Sequence, residues 1–190
     1  MEIDGWLSAI FPDEMTIIFK GTKMKTTIKK GRIFETNIIS DESNNYLAMY
    51  SDMDGKKLFC ELTPIEIKDF RNSLPKYELT KSSEQDSIAG VFCTKYTVAS
   101  SDSLAPLDAW FTESFLVQKG AWFSSYESSS GFPMVYDIER YGIFTHAEAV
   151  NFTKKELTDK DFEVEGKYES VDFETYENSA REIFEILADW

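Results

Sequence analysis

The sequence predicts an α+β protein built on a curved antiparallel β-sheet with a few helices, one of them an amphipathic helix at the C-terminus. Three observations predict it. The chain carries 15 Phe and 9 Tyr, residues that fit pleated, half-buried surfaces. Short β-rich runs follow one another across the first sixty residues, separated by turn residues only. The last segment places Phe173, Tyr176, Ala180, Ile183, Phe184 and Leu187 on one apolar stripe, the helical period of a surface helix.

At the N-terminus Ile3, Leu7, Ile10 and Phe11 recur at helical spacing, with Trp6 beside them. Pro12 ends that helix, because the residue before a proline is driven out of the α region. A helix without its opening turns suggests that the sequence starts inside a longer protein. Met15–Lys20, Lys23–Lys29, Ile33–Ile39, Tyr46–Tyr50 and Lys57–Leu62 then read as five strands of a meander. Gly21, Gly31 and the polar run from Asp41 to Asn45 turn the first four. Asp54-Gly55 is the pair that a tight type I′ hairpin demands.

Thr63-Pro64-Ile65-Glu66 opens a short helix: a capping Thr, Pro at the first helical position and Glu three residues after the cap. Ser82–Asp86 is polar and reads as a loop. Phe92–Val98 alternates as a strand, Ala109–Phe111 is another, and Ser124–Gly131 is a serine-rich loop. Met134–Glu139 and Ile143–Phe152 form a hairpin around Tyr141-Gly142. Asp172 is an acceptable cap for the C-terminal helix. No linker interrupts the chain, so residues 1–190 read as a single domain.

Composition narrows the function classes. A formal net charge of −14 argues against nucleic acid or anionic lipid, both of which attract basic surfaces. No apolar run reaches the ~20 residues of a membrane-spanning helix, so the chain is not expected to be transmembrane. No basic region followed by an apolar one opens the sequence as a secretion signal would. Cys60 and Cys93 stand 33 positions apart, neither a CxxC pair nor a zinc spacing. Each lies in an apolar run and reads as a buried free thiol. A disulfide is the alternative in an oxidising compartment if the strands are neighbours.

Catalytic motifs are sparse. His146 is the one histidine of the chain, which rules out a zinc site built on two or three of them. It sits in a strand-like run, and no Gly-x-Ser-x-Gly elbow accompanies it. Asp52, Asp54 and Gly55 hint at a calcium loop, but Lys56 falls where a third oxygen ligand is needed and the bidentate Glu is missing. No Gly-rich run precedes a helix to cradle phosphate. Asn151-Phe152-Thr153 matches a glycosylation acceptor in a strand-like context, where the match reads as chance. Catalytic residues, metal ligands and cofactors are therefore all expected to be absent. The residues singled out for binding are Trp110, Trp122, Phe123, Phe132 and Met134, which cluster in sequence around the serine-rich loop. They either rim an apolar cavity or pack as core.

The order of pieces carries a resemblance. Ile88, Gly90, Cys93, Lys95 and Val98, then Trp110 and Thr112, then Gly131, Pro133 and Tyr136 resemble the recurring pattern of exported, Bacteroidetes-type bacterial domains of unknown function related to the GLPGLI group. Met15–Gly21 followed by Lys23-Met24-Lys25 is similar to that group's early hairpin. Asp161–Tyr168 is similar to its closing turn, with Glu165 where a Pro is frequent. The resemblance implies an open half-barrel like that of the lipoprotein carriers LolA and LolB, wrapped around helices. It implies export, with a signal peptide and a first strand preceding Met1 and a location in the periplasm or cell envelope; a native start at Met1 would instead leave the chain in the cytoplasm. It brings no activity. The expected role is a non-enzymatic binding protein that holds a lipid or other apolar ligand on the concave face. The alternatives are an envelope module that binds a protein partner and, less favoured, a carboxylate-based hydrolase.

Overall fold

The computed structural model describes residues 12, 14–31, 34–53, 55–100, 108–115, 122–140 and 143–188. The N-terminal helix expected around Ile3–Phe11 lies outside them. Among the described residues the chain is mostly β, with eleven strands in two sheets and two α-helices. The α+β class with antiparallel sheets is therefore as expected. The pairing differs from the single continuous sheet that the sequence suggested, because the strands divide into a six-stranded and a five-stranded set. The chain contacts likewise form two compact units, residues 1–66 with 158–190, and residues 67–157.

In the first unit the strands β1 (Met15–Lys20), β2 (Lys23–Lys30), β3 (Phe34–Asp41), β4 (Tyr46–Met53) and β5 (Lys56–Glu61) form the expected meander. Gly55 has φ +83° between Met53 and Lys56, which pair directly. That is the positive φ which the second position of a type I′ turn requires. Leu47–Ser51 are all buried, so β4 is covered on both faces. Their alternation sends Leu47, Met49 and Ser51 to one face and Ala48 and Tyr50 to the other. Buried Asn37 is satisfied on the second face: Thr27 Oγ1 donates to its Oδ1 at 2.6 Å, and its Nδ2 donates to Glu35 Oε1 at 3.0 Å. Lys29 closes this network at 3.0 Å from Glu35.

A short strand β11 (Glu169–Ser170) adds to β5 in parallel, pairing with Leu58 and Phe59. Its approach brings the Tyr168 ring edge-on to Tyr50 at 5.1 Å. A two-residue strand carries too little pattern to be read from sequence. The C-terminal helix, α2 (Phe173–Ala188), is capped as expected: the Thr175 amide donates to Asp172 Oδ1 at 2.7 Å. Tyr176 and Ala180 of its stripe are buried, and Lys56 Nζ donates to Ser179 Oγ at 3.1 Å.

The helix α1 (Pro64–Ser73) starts on the expected capping box. The Thr63 amide and hydroxyl both donate to Glu66 Oε2, at 2.7 and 2.6 Å, and the Glu66 amide donates back to Thr63 Oγ1 at 3.3 Å. These bonds hold the Glu66 carboxyl below its ordinary range. In the second unit β6 (Tyr77–Ile88), β7 (Val91–Ser100), β8 (Asp108–Thr112), β9 (Phe132–Arg140) and β10 (Ile143–Glu148) form one antiparallel sheet in the order β10-β9-β8-β7-β6.

Ser82–Asp86, expected as a loop, lies inside β6. Here Ser82, Ser83 and Glu84 oppose Lys95 alone in a bulge. The polar composition misleads because β6 is an edge strand with mostly exposed side chains. Exposure removes the apolar alternation by which a strand is recognised. At its end Ala89 and Gly90 have φ +50° and +75°, which makes a turn with both central residues left-handed between paired Ile88 and Val91.

Candidate functional site

The five residues singled out for binding all belong to the second unit. Cross-strand partners share a face of a sheet. Tyr96 lies opposite Ala109 and Thr94 opposite Phe111, so Tyr96, Ala109 and Phe111 share one face. Val98 joins them by alternation. On that face Tyr96, Val98, Ala109, Phe111 and Tyr126 form a buried cluster, with Tyr77, Leu79 and Tyr136 packed against it. The rings meet edge-on or tilted: Tyr96 to Phe111 at 5.0 Å, Tyr77 to Tyr126 at 5.2 Å and Tyr126 to Tyr136 at 5.8 Å, as ring quadrupoles favour. The helix α1 belongs to the same side. Arg140, which shares the face of Tyr136 by alternation along β9, lies over the Phe70 ring at 5.5 Å.

The five residues do not form one rim. Trp122 is 6% exposed and stands on the helix side, with Arg71 over its ring at 5.8 Å. Half-buried Phe123 meets it edge-on at 5.7 Å. Trp110 and Phe132 belong to the opposite face. Trp110 pairs with Lys95 and Val135, and Phe132 pairs with Thr112 two residues along β8. Trp110 is half-buried, whereas Phe132 is buried and meets Phe115 at 6.0 Å, whose ring stacks on Phe152 at 4.3 Å. Met134 is buried at the β8–β9 bulge. Three of the five, Trp122, Phe132 and Met134, are thus interior residues, and Trp122 and Phe123 meet ring to ring.

The serine-rich segment is organised by a residue that sequence reasoning passed over. Tyr126 is buried, and its hydroxyl donates to the Asp137 carbonyl at 2.8 Å and accepts from the Asp137 amide at 3.2 Å. Burial raises its pKa. The available signal was the lone aromatic within Ser124-Ser125-Tyr126-Glu127-Ser128. The next residue, Glu127, accepts from Arg71 Nε at 3.1 Å and from Lys76 Nζ at 3.2 Å. Burial would raise its carboxyl pKa, but the Arg71 and Lys76 hydrogen bonds prevail and lower it.

A second polar group joins four elements. Lys81 Nζ donates to Glu113 Oε1 at 3.0 Å, Ser130 Oγ donates to the same oxygen at 2.9 Å, and the Tyr96 hydroxyl lies 3.0 Å from Ser130 Oγ. A serine among Tyr, Lys and Glu invites a nucleophilic reading. The protonation states oppose it: the Glu113 hydrogen bond raises the Lys81 pKa, and the Lys81 hydrogen bond lowers that of Glu113. The pair is held in its charged form, and neither member is tuned as a base for Ser130. His146 is exposed on β10, with Nδ1 2.8 Å from Oδ1 of its cross-strand partner Asp137.

Among the described residues no group of three or more His, Cys, Asp or Glu could hold a metal ion, and no helix is long and apolar enough to cross a membrane. Cys60 and Cys93 are buried free thiols. Comparison with known proteins finds no match to a family model, a curated protein or a solved structure.

Proposed function

We propose that this chain is a non-enzymatic, exported binding protein that holds a lipid or other apolar small molecule. In this reading its sheets curve as an open half-barrel similar to LolA and LolB, and its place is the periplasm or cell envelope. The similarity rests on the order of short motifs from Ile88 to Tyr136. The observation that supports ligand binding best is the contact of Trp122 with Phe123, one ring buried and the other half-exposed. Apolar surface there runs from the interior outward, as it does at the mouth of an apolar site. The non-enzymatic part is supported by the state of the nearby polar groups. Glu127 is bound by Arg71 and Lys76, Glu113 by Lys81 and Ser130, and the Tyr126 hydroxyl by the Asp137 backbone.

Native mass spectrometry of protein purified from cells tests the reading, together with titration of an apolar fluorescent probe. A co-purifying apolar molecule that the probe displaces is expected. A ligand-free protein with no saturable probe binding would overturn it.

A second reading has its own observation. Phe92 is 57% and Phe144 50% exposed, on β7 and β10, and exposed aromatics favour a protein-binding surface. An envelope partner would then engage the sheet directly. Loss of capture from envelope extracts on changing Phe92 and Phe144 to Ser, with probe binding intact, would favour this reading over the first.

A further inference from the structure

The indole Nε1–H of Trp122 is buried and finds no hydrogen-bond acceptor. A buried donor left without a partner costs about 1–3 kcal/mol. The charges beside it are also unbalanced. Arg71 and Lys76 both bind Glu127, so two cations share one carboxylate and this group carries one surplus positive charge in a chain of net charge −14.

We propose that the Trp122–Arg71 corner receives the acid group of a singly charged amphiphile. One head-group oxygen accepts from Trp122 Nε1–H, and the negative charge offsets the surplus left by Arg71, Lys76 and Glu127. The alkyl chain lies along half-exposed Phe123. This inference rests on the apolar-ligand reading and sharpens it to a ligand class: one apolar chain and one monoanionic head. A free fatty carboxylate and a lipid phosphodiester both meet that description. A buried hydrogen bond from a neutral donor to a charged acceptor is stronger than a neutral one, which gives the site a preference for the acid over the alcohol of equal chain length.

Displacement of a fluorescent alkyl probe from the full chain tests the proposal with three competitors: a long-chain carboxylate, an alkyl phosphodiester and the matching alcohol. The acids are expected to bind about tenfold tighter than the alcohol, the worth of one charge-assisted hydrogen bond. The stronger of the two acids identifies the source. Trp122→Phe keeps an aromatic ring and removes the donor, so it is expected to abolish the tenfold preference of acid over alcohol, whatever it does to the affinity that the two share. Lys76→Gln, at an exposed position, is expected to reduce the preference without touching the indole. Urea denaturation of Trp122→Phe is expected to give a midpoint close to that of the parent, because the relieved cost of the unpaired donor offsets the lost ring volume. Equal affinity for acid and alcohol in the parent, or an unchanged preference in Trp122→Phe, overturns the assignment while leaving apolar binding intact. Binding of none of the three overturns the underlying reading as well.

Discussion

The Tyr126 hydroxyl clasps the backbone of Asp137, donating to its carbonyl at 2.8 Å and accepting from its amide at 3.2 Å. Asp137 lies on β9 beyond the last pair that β8 makes with that strand, Trp110 with Val135. The phenol thus satisfies main-chain groups past the end of that ladder, and its ring fills the space between Tyr77, Phe111 and Tyr136. Tyr126→Phe keeps the ring and deletes the clasp. Two part-buried backbone groups then lose their partner, and a loss of about 1–3 kcal/mol is expected. Urea denaturation checks it: the midpoint falls while the slope is unchanged. An unaltered midpoint would mean that the clasp adds nothing to stability.

Asp41 makes the first unit sensitive to acid. It is 6% exposed and accepts from Thr22 Oγ1 at 2.8 Å, Ser43 Oγ at 2.7 Å, the Ser43 amide at 3.1 Å and Asn44 Nδ2 at 2.7 Å. Burial pushes its pKa up, but the hydrogen bonds outweigh burial and hold it below the ordinary value of 3.8. A carboxylate with a depressed folded pKa stabilises the fold fully above its unfolded pKa. That contribution is lost as pH falls through the folded value. The parent should therefore lose stability below about pH 4, and Asp41→Asn should show a shallower acid slope together with a lower plateau at pH 7. Denaturation midpoints between pH 7 and pH 3 check it; parallel curves for the two proteins would refute the role of Asp41.

Much of this architecture was legible because local chemistry and burial agree. Thr63, Pro64 and Glu66 announce the start of α1, and the turns at Gly21 and Gly55 separate strands whose apolar residues alternate. The legible pattern fails where burial stops enforcing it. The bulge at Ser82–Glu84 lies on an exposed edge, so its side chains follow no period. The candidate site was less legible for a different reason. Trp110, Trp122, Phe123, Phe132 and Met134 are close in sequence, but closeness in sequence does not fix the side of a sheet. Alternation along β8 and the bulge opposite Trp110 divide them between faces. Arg71 could not be linked to Trp122 in advance, because their contact depends on how α1 lies over the strands.

The thiols provide a test of burial. Cys93 is fully buried and donates to the Val91 carbonyl at 3.3 Å. Cys60 is 1% exposed, and burial, aided by Glu66 and Asp172, pushes its pKa up to about 11. Burial also raises the Cys93 pKa. The thiolate is the reactive form, so at pH 8 only about one Cys60 in a thousand is poised to react, from the gap between pKa and pH. A disulfide-exchange reagent is expected to label neither thiol rapidly in the native protein and both after unfolding in guanidinium. Rapid native labelling would contradict the packing around β5 and β7; an unfolded protein with no free thiol would reveal a disulfide.

Gly131 illustrates a glycine required by approach rather than by a turn. The sequence places it at the end of the serine-rich loop, and it is absent from the residues with positive φ. A Cβ added there would lie 2.6 Å from the Thr112 carbonyl oxygen and 3.0 Å from its carbon. Both are backbone atoms of β8, which cannot rotate away as a flexible side chain would. Thr112 is itself buried and anchored, its hydroxyl donating to the Phe92 carbonyl at 2.7 Å and accepting from the Ser114 amide at 3.1 Å. Gly131→Ala must therefore push β9 away from β8 near the Thr112–Phe132 pair. A cost of about 1–3 kcal/mol is expected, as for other overpacked positions. The alanine substitution at Gly21, where a Cβ would meet nothing within 4 Å, separates the two kinds of glycine. There the left-handed φ of +61° is the sole obstacle, and Asn, which tolerates that region, should recover most of the loss. Asn at Gly131 should recover none of it. Thermal denaturation of the four variants distinguishes a steric glycine from a conformational one, and rescue of Gly131 by Asn would refute the close approach to Thr112.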